Sequence, residues 1–131
     1  FGTSGVNIGL FCSTPMVAVT RNLPRKQAME MLMTGDLINA ETAERYGLVN
    51  RVVPAEHLDS EVTQLAEKIN TKSPAAIRRG KRLFYKQIDE GMDAAYLEAT
   101  KAITSNMQDQ DARAGIDAFM KKRPMPDWKG Q

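Results

Sequence analysis

The sequence predicts a mainly α-helical fold with a short β contribution. Apolar residues recur at helical spacing through most of the chain. Two of these segments begin at a hydroxyl residue beside a proline, at 13–15 and 73–74, and two others end at a glycine, Gly35 and Gly47. These are the usual signals for the start and the end of a helix. Only residues 48–53 are rich in β-branched side chains. Amphipathic helices of this length need a surface to pack against, so we expect them to form a layer of a larger fold.

The first part of the chain predicts four elements in order. Residues 1–12 mix glycine with apolar side chains without a helical period, which predicts an extended segment or a loop. Ser13 and Thr14 precede Pro15, so a hydroxyl cap and a first-turn proline predict a helix to about residue 22. Three elements follow this helix: a helix over 24–34, a short helix over 40–46 and a strand over 48–53. Proline, asparagine and glycine residues mark their ends.

The second part of the chain predicts four more helices. The first begins at residue 59 or 60, and the second begins at the Ser73–Pro74 cap and runs to about residue 89. The last two cover about 92–105 and the apolar run 116–120. Two later prolines then predict an extended tail that ends near Trp128.

Composition excludes several classes of function. The formal net charge of +2 is too small to indicate nucleic acid or an acidic membrane surface as partner. The single cysteine, Cys12, excludes an internal disulfide and a cysteine-based zinc site. It favours a reducing compartment, which is the cytoplasm, or the mitochondrial matrix in a eukaryote. No apolar run approaches the roughly 20 residues of a membrane helix. The opening at Phe1 reads like the inside of a larger domain, so we expect a piece of a longer protein.

Two groups of motifs carry a resemblance to a known family. The run Ala28–Asp36, followed by Ile38–Ala40 and Gly47–Pro54, resembles the central signature of the enoyl-CoA hydratase/isomerase (crotonase) family. The end of the chain is similar to that family's closing motif, through Asp111, Gly115, Ala118, Phe119, Lys122, Arg123, Pro124 and Trp128. The similarity covers essentially the whole chain but corresponds to the C-terminal half of a family member.

The resemblance implies a β-β-α spiral (α/β) fold followed by a helical region that builds trimers. Residues 1–54 would be the C-terminal end of the spiral core and residues 55–131 the trimerisation region. The implied partners are an acyl-CoA thioester in fatty acyl-CoA metabolism and further copies in a homotrimer or hexamer. No separate cofactor is implied, because coenzyme A is part of the substrate. Family members act as hydratases (lyases) or isomerases, using two oxyanion-hole N–H groups and, in hydratases, two glutamates.

The chain departs from the hydratase pattern at the position of the second catalytic glutamate. Hydratases have Phe-x-x-Pro-Glu, and here Phe1–Gly5 places Gly5 at the glutamate position. The oxyanion donors and the first glutamate correspond to a region upstream of residue 1. The loop Phe11–Met16 also replaces a glycine-rich turn, a combination similar to the divergent subgroup called enoyl-CoA hydratase domain-containing protein 3. We therefore predict no catalytic residue and no metal site in this chain, and no activity from it alone.

Four residues are predicted to bind substrate on the basis of the resemblance. Leu10 and Phe11 would shape the acyl pocket, and Phe119 and Lys122 would contact coenzyme A from the last helix. A lysine is suited to a phosphate as a point charge. The competing interpretation of Lys122 is a solvated helix end whose cation lies near the terminal carbonyls.

The sequence is also compatible with two alternative functions. A non-catalytic pseudoenzyme or oligomerisation scaffold would retain the helical layer without turnover, and Gly5 favours it. An RNA-binding module would use Arg78, Arg82 and Lys86, which share a helix face, but it lacks aromatic residues for stacking. Cys12 is expected to be a small buried apolar residue.

Overall fold

The computed structural model describes residues 1–131 and contains seven helices and no β-strand. The chain forms two compact units, Phe1–Leu58 and Asp59–Gln131. Short 3-10 turns lie at Ser4–Ile8 and Ala55–His57. The seven helices are α1 (Ser13–Asn22), α2 (Arg25–Thr34), α3 (Ala40–Tyr46), α4 (Leu58–Asn70), α5 (Pro74–Gln87), α6 (Met92–Asn106) and α7 (Gln110–Met120). None of them is both long and apolar enough to cross a bilayer.

The mainly helical class is confirmed, but the strand predicted over 48–53 does not form. Residues 47–50 turn and bend, and residues 51–54 have no regular structure. The amides of Leu48 and Val49 both donate to the carbonyl oxygen of Ala43 instead, at 2.8 and 3.4 Å. β-Branched side chains favour a strand only where a second strand completes the ladder of hydrogen bonds, and the described chain supplies none.

Most predicted helix ends are confirmed. Gly35 and Gly47 end α2 and α3 in the left-handed conformation, with φ of 69° and 83°. The side chain of Asn39 accepts the amide of Thr42 at the start of α3. Ser73 does the same for the amide of Ala76 in α5, with a proline in its first turn. These signals are local in sequence, which is why they predict the boundaries well.

Three local predictions are wrong. Residues 4–8 wind into a 3-10 turn and are neither extended nor a loop. Ser13 does not cap α1, because the helix already begins at this residue and its hydroxyl donates to the carbonyl oxygen of Phe11 at 3.3 Å. α4 begins at Leu58, so Asp59 lies in the first turn, where a negative charge interacts favourably with the helix dipole.

The core of the first unit lies between α1 and α2. Leu23, Ala28 and Met31 form a buried cluster, and partly buried residues pack around it: Val19, Ile38, Tyr46 and Leu48. The N-terminal segment attaches to α2 through the buried hydroxyl of Thr3, which donates to the carbonyl oxygen of Met31 at 3.0 Å. The start of the chain is therefore fixed against α2.

The second unit is built on the helix pair α5 and α6. Lys86 pairs with Glu98, and Arg79 donates to the Ser105 hydroxyl at 3.0 Å, so the two helices run antiparallel. Few side chains are fully buried here, and the pair leaves large apolar residues exposed, among them Phe84 (53%), Met92 (71%) and Tyr96 (68%).

Candidate functional site

Lys122 lies just beyond the last helix in a strained backbone conformation. α7 ends at Met120, so the prediction that Lys122 belongs to this helix is wrong by two residues. Lys122 has φ of 50°, the only positive φ at a residue other than glycine in the structure. Its amide donates to the carbonyl oxygen of Phe119 at 3.1 Å, and the amide of Arg123 donates to that of Ala118 at 2.9 Å. These two bonds define a Schellman ending, in which the left-handed residue is usually glycine.

The ammonium of Lys122 is the cation of the Lys-Lys-Arg sequence that forms no ion pair. Asp117 accepts the ammonium of Lys121 at 2.6 Å and also pairs with the guanidinium of Arg123. The hydrogen bond from Lys121 is the main reason that the pKa of Asp117 is lowered. Lys122 forms no ion pair, and Phe119, one turn earlier, is 71% exposed. A cation without an ion pair thus follows an exposed aromatic residue by three positions.

The two residues predicted to shape the acyl pocket lie in the first unit. Leu10 and Phe11 follow the 3-10 turn and precede α1, and they are 63% and 43% exposed. The amide of Leu10 donates to the carbonyl oxygen of Gly5 at 3.0 Å, so the loop folds back on the turn. The structure places Leu10 beside Phe11 in one unit and Phe119 beside Lys122 in the other.

Gly5 lies where no side chain can be accommodated. A Cβ atom built there would be 2.6 Å from the carbonyl oxygen of Leu10 and 2.8 Å from Sγ of Cys12. The amide of Gly5 also donates to Sγ of Cys12 at 3.3 Å. The loop therefore leaves no room for the side chain of a glutamate at position 5, where this sequence has glycine. Cys12 is half-buried rather than fully buried, and its thiol contacts a backbone amide.

The predicted basic face of α5 is interrupted in the structure. Lys86 is paired with Glu98, and that hydrogen bond is the main cause of a raised pKa at Lys86. Arg79, outside this face, forms two bonds to the carboxylate of Asp109, at 2.7 and 2.8 Å. Arg78 donates to the carbonyl oxygen of Gly130 at 2.9 Å, and Arg82 forms no hydrogen bond or ion pair. A continuous cationic track for nucleic acid is absent from α5.

Asp111 organises the closing segment, a role that the sequence did not reveal. Its buried carboxylate accepts the Ser73 hydroxyl at 2.7 Å and the amides of Lys129 and Gly130 at 2.8 and 2.9 Å. The Ser73 bond is the largest cause of a lowered pKa at Asp111; burial opposes it, and the two amides add to it. No group of three or more His, Cys, Asp or Glu residues could bind a metal ion.

Comparison with solved structures defines the class of this fold. An enoyl-CoA hydratase from Mycobacterium smegmatis superposes with a TM-score of 0.90 at 48% identity, over 98% of this chain and 49% of that chain. Human enoyl-coenzyme A hydratase domain-containing protein 3 superposes with a TM-score of 0.86 at 44% identity, over 98% and 50% of the two chains. The helical arrangement is that of part of an enoyl-CoA hydratase of the crotonase fold.

Sequence comparison gives the family itself. The profile of the enoyl-CoA hydratase/isomerase family matches residues 1–131, so the chain belongs to that family. The mitochondrial enoyl-CoA hydratase domain-containing protein 3 of Rattus norvegicus is 48% identical over 128 residues, 98% of this chain and 42% of the relative. A crotonyl-CoA hydratase of Syntrophomonas wolfei is 35% identical over 127 residues, 94% of this chain and 48% of that protein. The chain spans about half the length of the relatives it matches.

Proposed function

We propose that this chain is the part of an acyl-CoA-binding protein that binds the nucleotide end of coenzyme A through Lys122 and Phe119. The parent would act in fatty acyl-CoA metabolism, and Leu10 and Phe11 would border the acyl group. The names of the related proteins, which include hydratases acting on CoA thioesters, support this substrate class.

The observation that carries the proposal is the isolation of the Lys122 charge. Asp117 pairs with both neighbouring cations, so the Lys122 ammonium is the cation of this sequence that has no ion-pair partner and remains available for an external anion. Its left-handed backbone costs stability at a position where glycine would fit without strain. Strain of this kind is retained at positions whose side chain has a function, and a phosphate contact is such a function. This strain favours a functional role for Lys122 over a solvated helix end.

The second part of the proposal is that the chain contributes no proton-transfer group at position 5. A thioester enolate needs oxyanion donors and a positioned acid or base. The loop of Leu10 and Cys12 leaves no space for a side chain at Gly5. We therefore propose that the 131-residue chain binds its ligand without turnover, and that any chemistry of the parent uses residues outside it.

The binding role is tested by calorimetric titration of the chain with coenzyme A. We expect Lys122→Gly to weaken binding by about tenfold or more, since a charge-assisted hydrogen bond contributes about 1.5–3 kcal/mol. Lys121→Gly is the matched control, because it removes the same charge from a residue already paired with Asp117. Equal affinities for wild type and Lys122→Gly would refute the proposed contact.

A scaffold without ligand binding is the second candidate function, and the exposed apolar face of α5 and α6 favours it. Phe84, Met92 and Tyr96 line a cavity of about 470 Å³ between these helices. Large exposed apolar patches mark surfaces that another protein surface covers. A homotrimer or hexamer would bury this face in either function. Sedimentation that shows oligomers, together with no affinity for coenzyme A, would select the scaffold.

We propose a reducing compartment as the location, the mitochondrial matrix if the parent is eukaryotic and the cytoplasm otherwise. Cys12 is a free thiol, as expected in such a compartment. The relatives from Rattus norvegicus and Homo sapiens are named as mitochondrial proteins. Fractionation of cells that express the tagged parent would test the location directly.

A further inference from the structure

We propose that a polar cavity beside α5 binds a small phosphate anion through Arg82 and Arg78. The cavity has a volume of about 250 Å³ and is lined by Arg78, Arg79, Arg82, Asp109 and Gly130, among others. It is distinct from Lys122, which does not line it. The volume is below the roughly 300–1,000 Å³ typical of pockets for drug-sized ligands, so a phosphate or a pyrophosphate group fits the space better than a whole nucleotide.

The charges around the cavity are unbalanced. Three arginines line it, against the side-chain carboxylate of Asp109 and the C-terminal residue Gln131. Asp109 is already bound by Arg79 through two bonds, which is the main cause of its lowered pKa. Arg82 has no partner of any kind in the structure. Guanidinium groups form paired hydrogen bonds to phosphate oxygens, so an uncompensated arginine favours this ligand.

The cavity walls are fixed without a ligand. Arg78 and Arg82 are four residues apart on α5 and share one face. Arg78 donates to the carbonyl oxygen of Gly130, and the neighbouring Asp111 fixes the tail by accepting the amides of Lys129 and Gly130. Arg79 is held between Asp109 and Ser105. Because Arg78, Arg79 and the tail are already held, an anion would have to order only the side chain of Arg82, and it would lose little affinity to the ordering of the other groups.

The experiment is a calorimetric titration of the chain with inorganic pyrophosphate at low ionic strength, repeated with Arg82→Gln. We expect saturable binding by the wild type and at least about tenfold weaker binding by Arg82→Gln, because a charged hydrogen-bond partner is removed. Lys81→Gln is the matched control, since it removes one positive charge from the adjacent residue of the same helix, which does not line the cavity.

Three outcomes would overturn the proposal. One is the absence of binding at millimolar pyrophosphate, and another is an equal loss in Lys81→Gln, which would show a diffuse charge effect. The third is loss of pyrophosphate binding in Lys122→Gly with retention in Arg82→Gln, which would place the anion at the other site. Arg82 forms no hydrogen bond or ion pair, so we expect unchanged melting of Arg82→Gln, and that result excludes misfolding as a cause of weaker binding.

Discussion

The hydroxyl of Ser73 donates a hydrogen bond of 2.7 Å to Oδ2 of Asp111, joining the start of α5 to the first turn of α7. Both residues are buried, and 38 positions separate them in sequence. Ser73 simultaneously accepts the amide of Ala76 as the N-cap of α5. The same carboxylate accepts two amides of the closing segment. One aspartate therefore connects two helices and the C-terminal tail.

Replacement of Asp111 by asparagine should destabilise the second unit. The amide side chain retains one acceptor oxygen, so at least one of the bonds to Ser73, Lys129 and Gly130 is lost inside a buried site. We expect the melting temperature to fall by roughly 5–10 °C. Asp117→Asn, which alters an exposed carboxylate of the same helix, should change it much less. Similar melting curves for the two variants would contradict the structural role of Asp111.

Acid should remove the contribution of Asp111 to stability, and the comparison with Asp111→Asn separates it from that of the other paired carboxylates. Its pKa is lowered in the folded state, so its stabilising effect is complete above the unfolded pKa of about 3.9 and is lost as pH falls through the folded pKa. Denaturant unfolding measured between pH 6 and about pH 2 should therefore show a steeper loss of stability for the wild type than for Asp111→Asn. Parallel curves would mean that the carboxylate titrates alike in the folded and unfolded chains.

Two glycine-to-alanine substitutions in helices should have opposite effects. A Cβ at Gly115 would be 3.2 Å from the ring of Trp128, whose Nε1 donates to the carbonyl oxygen of Thr71 at 2.8 Å. The ring cannot move without straining that bond, so Gly115→Ala should lower the melting temperature and shift the Trp128 fluorescence. Gly80→Ala, with no atom near the new Cβ, should stabilise α5 by about 0.5–1 kcal/mol. Stabilisation of both variants would show that the Trp128 ring moves away from the new Cβ at little cost.

Lys122→Gly should stabilise the chain while it weakens coenzyme A binding. Glycine adopts the left-handed conformation at position 122 without the cost of about 1 kcal/mol that a side chain incurs. Lys121→Gly, at a residue with φ of −89°, should be neutral or destabilising. Denaturant unfolding of the two variants checks this. A loss of stability in Lys122→Gly would show that its side chain stabilises the helix end.

Gly5→Ala should destabilise the first unit, because its Cβ would clash with the carbonyl oxygen of Leu10 and the thiol of Cys12. Adding Cys12→Ala should restore only part of the stability, since the clash at 2.6 Å with the Leu10 backbone remains. Double-mutant analysis of thermal unfolding measures this coupling. Full recovery of stability on adding Cys12→Ala would show that the clash with the thiol alone destabilises Gly5→Ala.

The sequence predicted those features that depend on neighbouring residues. The ends of α2 and α3 follow from glycines that adopt positive φ, and the start of α5 follows from a serine before a proline. The strand over 48–53 failed because its propensity is realised only with a pairing partner, and the nearest acceptor is the carbonyl of Ala43 in a turn.

The sequence predicted which residues belong to the candidate site, but it did not predict their backbone conformation or their ion pairs. The family motif pointed to Lys122, but a lysine gives no local signal for a left-handed backbone, which glycine would have given. The pairing of Asp117 with both neighbouring cations could not be read from the sequence either, because two partners compete for it. Asp111 was recognised only as a motif residue, since its contacts join segments far apart in sequence.

The most direct test of the account is a titration of the purified 131-residue chain with crotonyl-CoA, in which bound ligand and hydrated product are measured in the same samples. The account predicts saturable binding that Lys122→Gly weakens, and no hydration above the buffer rate. Hydration by the chain alone would contradict it, because that result would require a proton-transfer group and an oxyanion site within these residues.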